Sequence, residues 1–318
     1  MALTPDDRWI WDFWHIQHDD IHHLYYLQAP KSLGDPELRH RNATIGHATS
    51  TDLRTWTEHG TVLVPGGPGA VDATATWTGS IVRGDDGMWR MFYTGSTFPS
   101  PDNTTNIEVI AMAVSTDLYT WTKDPSFALH ADPRWYETLG TSDWPEEAWR
   151  DPWVYRDNNG QWHMLITARA NTGASINRGV VAHATSPDLL TWTVQPPLTD
   201  PIHGFAHLEV FQKLALNGQD LILFSAHEQV ISEDRRFAGA TTGTWVAPWD
   251  GNIALDRASN LSDAGLYSGR IIDHHGSPVF LAFELPDSTG PFVGGICDPI
   301  PVDVADGRLM LPREAGIQ

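Results

Sequence analysis

Thr49-Ser50-Thr51-Asp52-Leu53-Arg54-Thr55-Trp56-Thr57 returns as Val114-Ser115-Thr116-Asp117-Leu118-Tyr119-Thr120-Trp121-Thr122, and again as Thr185-Ser186-Pro187-Asp188-Leu189-Leu190-Thr191-Trp192-Thr193. Each copy follows a run of small and β-branched residues, at 43–49, 109–115 and 179–186. The unit reads as a strand, a Ser/Thr/Asp turn, and a second strand that opens on Trp-Thr. In such a turn the Asp and Ser side chains bond nearby backbone N–H groups. The Trp is expected to pack between neighbouring units, which makes the repeat a structural device rather than a catalytic one.

Asp52, Asp117 and Asp188 are offset by 65 and 71 residues. That is longer than a bare four-stranded sheet needs, and it fits radial repetition of four-stranded sheets with loops added. The second unit illustrates the reading, with strands at 76–82, 88–94, 107–115 and 120–122 and a hairpin turn at Gly84-Asp85-Asp86-Gly87. A period of this length fits into 318 residues about five times. The expected fold is therefore all-β, a five-bladed β-propeller of four-stranded antiparallel blades. It is expected to fill residues 1–318 as one domain with no appended β-sandwich. The fourth and fifth units, near 206–256 and 265–312, are degenerate, with turns at Gly276 and Asp306-Gly307.

Hydrophobic residues make up 41% of the chain, enough for a full core, and Lys plus Arg number 20 against 40 Asp plus Glu, a formal charge of −20. Such a surface repels nucleic acid and anionic membranes, leaving a neutral small molecule as the expected partner. The 15 Trp suit both core packing and stacking on sugar rings. A single cysteine, Cys297, permits no internal disulfide, and the start Met1-Ala2-Leu3-Thr4-Pro5-Asp6-Asp7 lacks the basic and apolar regions of a signal peptide. These features make the cytoplasm the expected location. No apolar run approaches the ~18 residues that span a bilayer.

Trp149-Arg150-Asp151-Pro152-Trp153-Val154-Tyr155 sets a cation and a carboxylate side by side in an aromatic and β-branched strand, and buried charges need partners. Strand alternation sends Arg150 and Pro152 to one face and Asp151 and Trp153 to the other. Five other Asp-Pro pairs in the chain show that the dipeptide alone carries nothing; its surroundings mark this copy as a site. In a propeller the first strand of each blade lines the central channel. Acids stand on three such strands, in Trp9-Ile10-Trp11-Asp12-Phe13-Trp14, in Arg150-Asp151, and in His207-Leu208-Glu209-Val210-Phe211. Converging on one funnel, they are expected to raise one another's pKa by repulsion and desolvation. Glycoside hydrolysis uses such a set, one acid to protonate the leaving oxygen and one carboxylate to attack the anomeric carbon or activate water.

The chain resembles the five-bladed propeller glycoside hydrolases of families 32, 68, 43 and 62, most closely family 32. In that family a Trp-x-Asn-Asp-Pro-Asn-Gly motif carries the nucleophile and a His-Leu-Phe-Tyr-Gln strand follows. Here Asp12 lies at the matching place, followed by His23-Leu24-Tyr25-Tyr26-Leu27-Gln28. The second-blade motifs Phe-Ser-Gly-Ser and Phe-Tyr-Thr-Gly correspond to Trp77-Thr78-Gly79-Ser80 and Phe92-Tyr93-Thr94-Gly95, and the Arg-Asp-Pro motif to Arg150-Asp151-Pro152. The resemblance implies Asp12 as nucleophile, Asp151 as transition-state stabiliser and Glu209 as acid/base. It also implies a sugar-binding lining that includes Trp11, Gln28, Trp77, Ser80, Arg150 and Tyr267. Trp11 replaces the motif's Asn, Phe13-Trp14 replaces Pro-Asn, and Val210 replaces the Cys that usually follows the acid/base Glu, so the sugar-binding floor is altered.

The expected activity is retaining cleavage, or transfer, of a β-fructofuranoside. The alternatives are an inverting arabinofuranosidase or xylosidase of the family 43 type, a non-catalytic sugar-binding propeller, and a scaffold. His22-His23, His274-His275 and the trio His203, His207 and His227 lack the paired spacing of a zinc site, and neither metal nor cofactor is expected.

Overall fold

The computed structural model describes residues 3–101, 105–262, 265–286, 292–305 and 308–312. Blade one is β1 (Arg8–His18), β2 (Ile21–Pro30), β3 (Thr44–Ser50) and β4 (Thr57–Leu63), hydrogen-bonded in that order and antiparallel throughout. Blade two repeats the plan with β5 (Ala75–Arg83), β6 (Trp89–Thr97), β7 (Ile107–Ser115) and β8 (Thr122–Lys123). In blade three the strands are β9 (Trp149–Arg156), β10 (Trp162–Arg169), β11 (Gly179–Ser186) and β12 (Thr193–Gln195). Blade four has β13 (Glu209–Leu216), β14 (Gln219–Ala226), β15 (Gly243–Asp250) and β16 (Asn252–Ile253), with β17 (Ser259–Asn260) also paired to β15.

Blade five opens with β18 (Leu266–His274), β19 (Ser277–Glu284) and β20 (Ile300–Pro301), and β21 (Asp303–Ala305) pairs antiparallel with β22 (Arg308–Met310). The Gly276 turn falls between β18 and β19 as expected, whereas Asp306-Gly307 lie outside the described residues. Ile296 bridges Phe283 of β19 on one side and Leu3 on the other. Leu3 donates to the Ile296 carbonyl at 3.2 Å and accepts from the Ile296 amide at 2.9 Å. The N-terminal segment thus forms the outer edge of the last blade and closes the ring, a step no local sequence pattern announces.

The repeated turn works as its residues dictate. Ser50 Oγ accepts from the amides of Asp52 and Leu53, and Asp52 Oδ1 accepts from those of Arg54 and Thr55 at 2.8 and 2.7 Å. The same bonds recur around Ser115 and Asp117 and around Ser186 and Asp188. This dense bonding holds Leu53, Leu118 and Leu189 at φ of 58°, 67° and 68°, a left-handed conformation that costs an L-residue free energy, while burying all three side chains. The Trp that follows packs backwards onto the preceding blade: Trp121 meets Tyr25 edge-on at 5.7 Å and Trp192 meets Phe92 at 5.5 Å. The second and third repeats therefore lock their blades to the ones before them.

Candidate active site

All five innermost strands carry a one-residue bulge at the same level. Registers slip between Trp11 and Phe13, between Trp77 and Gly79, and across Arg150–Trp153, Glu209–Gln212 and Tyr267–Arg270. A bulge re-aims the side chain it carries. Here the bulges put Asp12, Thr78, Asp151, Val210 and Ser268 at one height around the axis, with Asp151, Val210 and Ser268 at φ of 57°, 57° and 51°. This corrects the alternation expected for β9. Because the strand is broken at Asp151, Arg150 and Asp151 both face a funnel of about 500 Å³ rather than opposite sides of the sheet.

Asp12 is clamped by the bulge residues of its two neighbours. Its Oδ2 accepts from Thr78 Oγ1 at 2.7 Å and its Oδ1 from Ser268 Oγ at 2.6 Å. Both hydroxyls precede a glycine that the packing requires, since a Cβ on Gly79 would lie 2.3 Å from the Phe92 carbonyl and one on Gly269 2.2 Å from the Phe280 ring. Burial raises the Asp12 pKa, the two hydroxyls pull it down, and Glu209 pushes it up again. Asp151 accepts from Thr167 Oγ1 at 3.1 Å and from the Val210 amide at 3.3 Å, while its own amide donates to Thr94 Oγ1 at 2.9 Å. Burial lifts it to about 7 against the pull of Arg150, with Asp12 and Glu209 adding to the rise.

Glu209 departs from the expectation that the acids raise one another. Burial pushes its pKa up, but Arg150, His207 and the Tyr267 hydroxyl outweigh it and bring it to about 2. The Arg150 guanidinium donates to Glu209 Oε1 at 2.8 Å, and the Tyr267 hydroxyl donates to Oε2. Arg150 is the hub of the funnel, since it also donates to the fully buried Glu108 at 3.0 and 3.2 Å and lies 3.3 Å from Glu146 and 3.9 Å from Asp151. One cation thus faces four carboxyl groups. Repulsion among the acids is real, but at 2.8 Å a charge-assisted bond to Arg150 dominates for Glu209.

Of the residues expected in the lining, Trp11, Asp12, Trp77, Arg150, Asp151, Glu209 and Tyr267 meet in the funnel. Two do not. Gln28 bonds Thr61 Oγ1 at 2.7 Å within blade one, and Ser80 Oγ accepts from the Val154 amide at 3.1 Å, tying blade two to blade three. Both are buried inside the sheets rather than at the channel, so the motif positions serve packing here. The lining also includes Thr78, Arg39, His40, Trp144, Glu146, His207 and His227; the sequence reading weighed His207 and His227 as metal ligands or as partners of sugar hydroxyls and gave the others no role. A readable signal existed for Thr78, a hydroxyl-glycine pair on an inner strand that recurs as Ser268-Gly269. Among the described residues no three His, Cys, Asp or Glu side chains are placed to hold a metal ion.

Residues 3–265 match the family model described as the glycosyl hydrolases family 32 N-terminal domain. Over 191 residues the chain is 29% identical to beta-fructofuranosidase 1 of Zea mays, covering 59% of this chain and 26% of that protein. An invertase of Wickerhamomyces anomalus is 27% identical over 209 residues, covering 62% of this chain and 33% of that protein. The chain thus matches only about a quarter to a third of the length of these relatives. In architecture it is similar to the inulosucrase from Halalkalicoccus jeotgali bound to kestose, with a TM-score of 0.76 at 21% identity, covering 98% of this chain and 90% of that one. The sucrose-6-phosphate hydrolase of Lactobacillus gasseri gives a TM-score of 0.74 at 19% identity, covering 98% and 62%.

Proposed function

Taking as premise that the chain belongs to glycosyl hydrolases family 32, we propose that it cleaves a β-fructofuranoside with retention of configuration. The observation that carries this reading is the convergence of Asp12, Asp151 and Glu209 from three inner strands on one funnel. In the first step Asp12 attacks the anomeric carbon and forms a bond to it, while Glu209 gives a proton to the departing oxygen. In the second, Glu209 takes a proton from water, or from a sugar hydroxyl in transfer, and that oxygen displaces Asp12. Asp12 is oriented for attack by Thr78 and Ser268, one hydroxyl on each carboxylate oxygen.

In the free site Arg150 keeps Glu209 ionised. Substrate entry expels water from the funnel, and desolvation favours the neutral acid. Glu146, 3.3 Å away, already shares the Arg150 charge, which weakens its hold on Glu209 and eases that protonation. Asp151 and Arg150 stand beside the attack point to hold sugar hydroxyls. Asp151→Asn is therefore expected to lower kcat ~10²-fold with KM changed less than about threefold, because a charge-assisted bond that tightens in the transition state is lost. A pure rise in KM would make Asp151 a binding residue only.

The test is hydrolysis of sucrose, fructo-oligosaccharides and aryl furanosides, with the anomer of the first product read by NMR before mutarotation. β-Fructofuranose appearing first is the expected result. Arabinofuranoside cleavage with an inverted product would move the chain to the pentose-directed branch and make Asp12 a general base.

A further inference from the structure

One layer below the catalytic carboxylates the channel holds a second cation, outside the lining of the funnel. Arg270 stands two residues past Ser268 on β18 and Trp153 two residues past Asp151 on β9, and the Arg270 guanidinium lies 5.1 Å from the centre of the Trp153 ring. It is 2% exposed. Its Nη1 donates to the Val210 carbonyl at 3.1 Å and to the Phe211 carbonyl, while Nε is buried with no hydrogen-bond partner among the described residues. None of the described carboxylates bonds it directly. Burial brings its pKa down to about 10 against the pull of Asp151 and Asp12, so it is charged throughout the neutral range. A buried charge without a bonded ion partner is costly, and only the groups it faces can offset that cost.

Those groups are the two carboxylates with no cation bonded to them. Asp12 is held by the Thr78 and Ser268 hydroxyls, and Asp151 by Thr167 and the Val210 amide, with Arg150 3.9 Å away and bonded to Glu209 and Glu108 instead. The backbone ties Arg270 to both, since Ser268 precedes it by two residues and the Val210 whose carbonyl it holds gives its amide to Asp151. Val210 sits at φ 57° in the bulge that presents Glu209, so the two carbonyl bonds fix that bulge as well. The other titratable or charged groups around the pair are Glu209 of β13, Arg150 of β9 and Tyr267 of β18. Of the cations, Arg150 pulls on Asp151 and Arg270 on Asp12.

We propose that Arg270 is a positioning residue of the cleavage reaction, the fixed counter-charge that favours the ionised forms of Asp12 and Asp151 and the brace of the bulge that carries Glu209. The assignment rests on the fructoside-cleaving reading above. An attacking carboxylate has to be ionised, and a sugar entering the funnel strips away the water that would otherwise support its charge. Hydroxyl donors alone support that charge less well than a cation does. Because Arg270 lies outside the funnel lining, substrate neither touches nor displaces it, and its field acts on Asp12 equally in the free and the occupied site.

The experiment uses an aryl β-fructofuranoside whose phenol is acidic enough to depart without a proton, so that the acid limb of kcat/KM between about pH 4 and 8 follows the ionisation of Asp12 and Asp151. Glu209, at about 2, stays ionised over that range. Arg270→Gln and Arg270→Met remove the charge, Gln keeping a donor for the two carbonyls, and Arg270→Lys keeps the charge without the planar fork. In both neutral variants the limb is expected to move up by about one pH unit, a tenfold loss at the acid end that fades as pH rises, and in Arg270→Lys to stay within about 0.3 unit of wild type. Limbs that stay in place in the neutral variants, with turnover lowered equally at every pH, would make Arg270 a brace only and overturn the counter-charge, as would an equal shift in all three. If neither neutral variant shows a cooperative thermal melt, each is rebuilt with Asp12→Asn. A restored melt then supports the counter-charge, because the uncompensated carboxylate is gone, and continued unfolding overturns it. A wild-type protein that leaves the aryl fructoside uncleaved removes the fructoside reading itself, and the assignment of Arg270 falls with it.

Discussion

Asp12→Ala and Glu209→Ala are each expected to lower turnover of a fructo-oligosaccharide at least ~10³-fold, since each removes a group that acts on the bond being cleaved. The two losses differ in kind. Without Glu209 the leaving oxygen departs unprotonated, so an aryl fructoside with an acidic phenol is hurt far less than sucrose; without Asp12 no leaving group restores the attack. Both variants should fold, but Glu209→Ala strips the Arg150 guanidinium and the Tyr267 hydroxyl of a bonded partner and should melt lower than wild type. Burial already raises the Asp12 pKa, so its carboxylate is held at some expense to stability, and the alanine variant is expected to melt no lower than wild type. Turnover near the wild-type value in either folded variant would take that residue out of the mechanism.

The parts of this site that could be read from sequence are those carried by composition against pattern. Arg150-Asp151 stood out as charges in an apolar strand, and the Ser-x-Asp-Leu turns marked three blades because their bonding needs those side chains in that order. Glu108 offered the same kind of signal, a carboxylate in the run Ile107-Glu108-Val109-Ile110, but its meaning depends on Arg150 reaching it from another blade at 3.0 Å. The bulges were not legible. An extra residue in a strand leaves the residue list unchanged and alters only which face each side chain takes, so strict alternation misplaced Arg150 relative to Asp151. Gln28 and Ser80 show the converse, since a motif can persist while its side chain serves the sheet. The low pKa of Glu209 depends on a 2.8 Å contact between blades three and four, a distance no linear reading contains.

Acidification is the second large effect expected, and it acts on the seam that closes the ring. His15 Nε2 lies 2.9 Å from His22 Nδ1, and His22 Nε2 lies 3.1 Å from His274 Nδ1, so one imidazole chain runs from blade one into blade five. Beside it His23 Nδ1 meets His47 Nε2 at 3.0 Å. Such ring-to-ring bonds need an acceptor nitrogen at each contact, which a doubly protonated ring lacks. Burial, with repulsion from neighbouring His, lowers His15 and His47 from 6.5 to about 3 and His22 and His23 to about 4. The unfolded chain therefore binds these protons first. Stability is intact above pH 6.5 and is lost as pH falls from there toward 4, at roughly 2 kcal/mol per imidazole by pH 5. Glu108, raised to about 8, and Asp151, raised to about 7, take up protons in the folded state over the same range and oppose the loss. With Asp12, Glu147 and Glu284, which burial also raises, they oppose these four histidines together with His40, His183 and His207, each lowered to about 4 by burial, so the histidines prevail. The melting temperature should fall between pH 7 and pH 5. In His22→Gln that fall should be smaller, by the equivalent of roughly 2 kcal/mol, because a group that does not titrate replaces one that does. An identical pH slope in the variant would mean that the seam is not where acid acts.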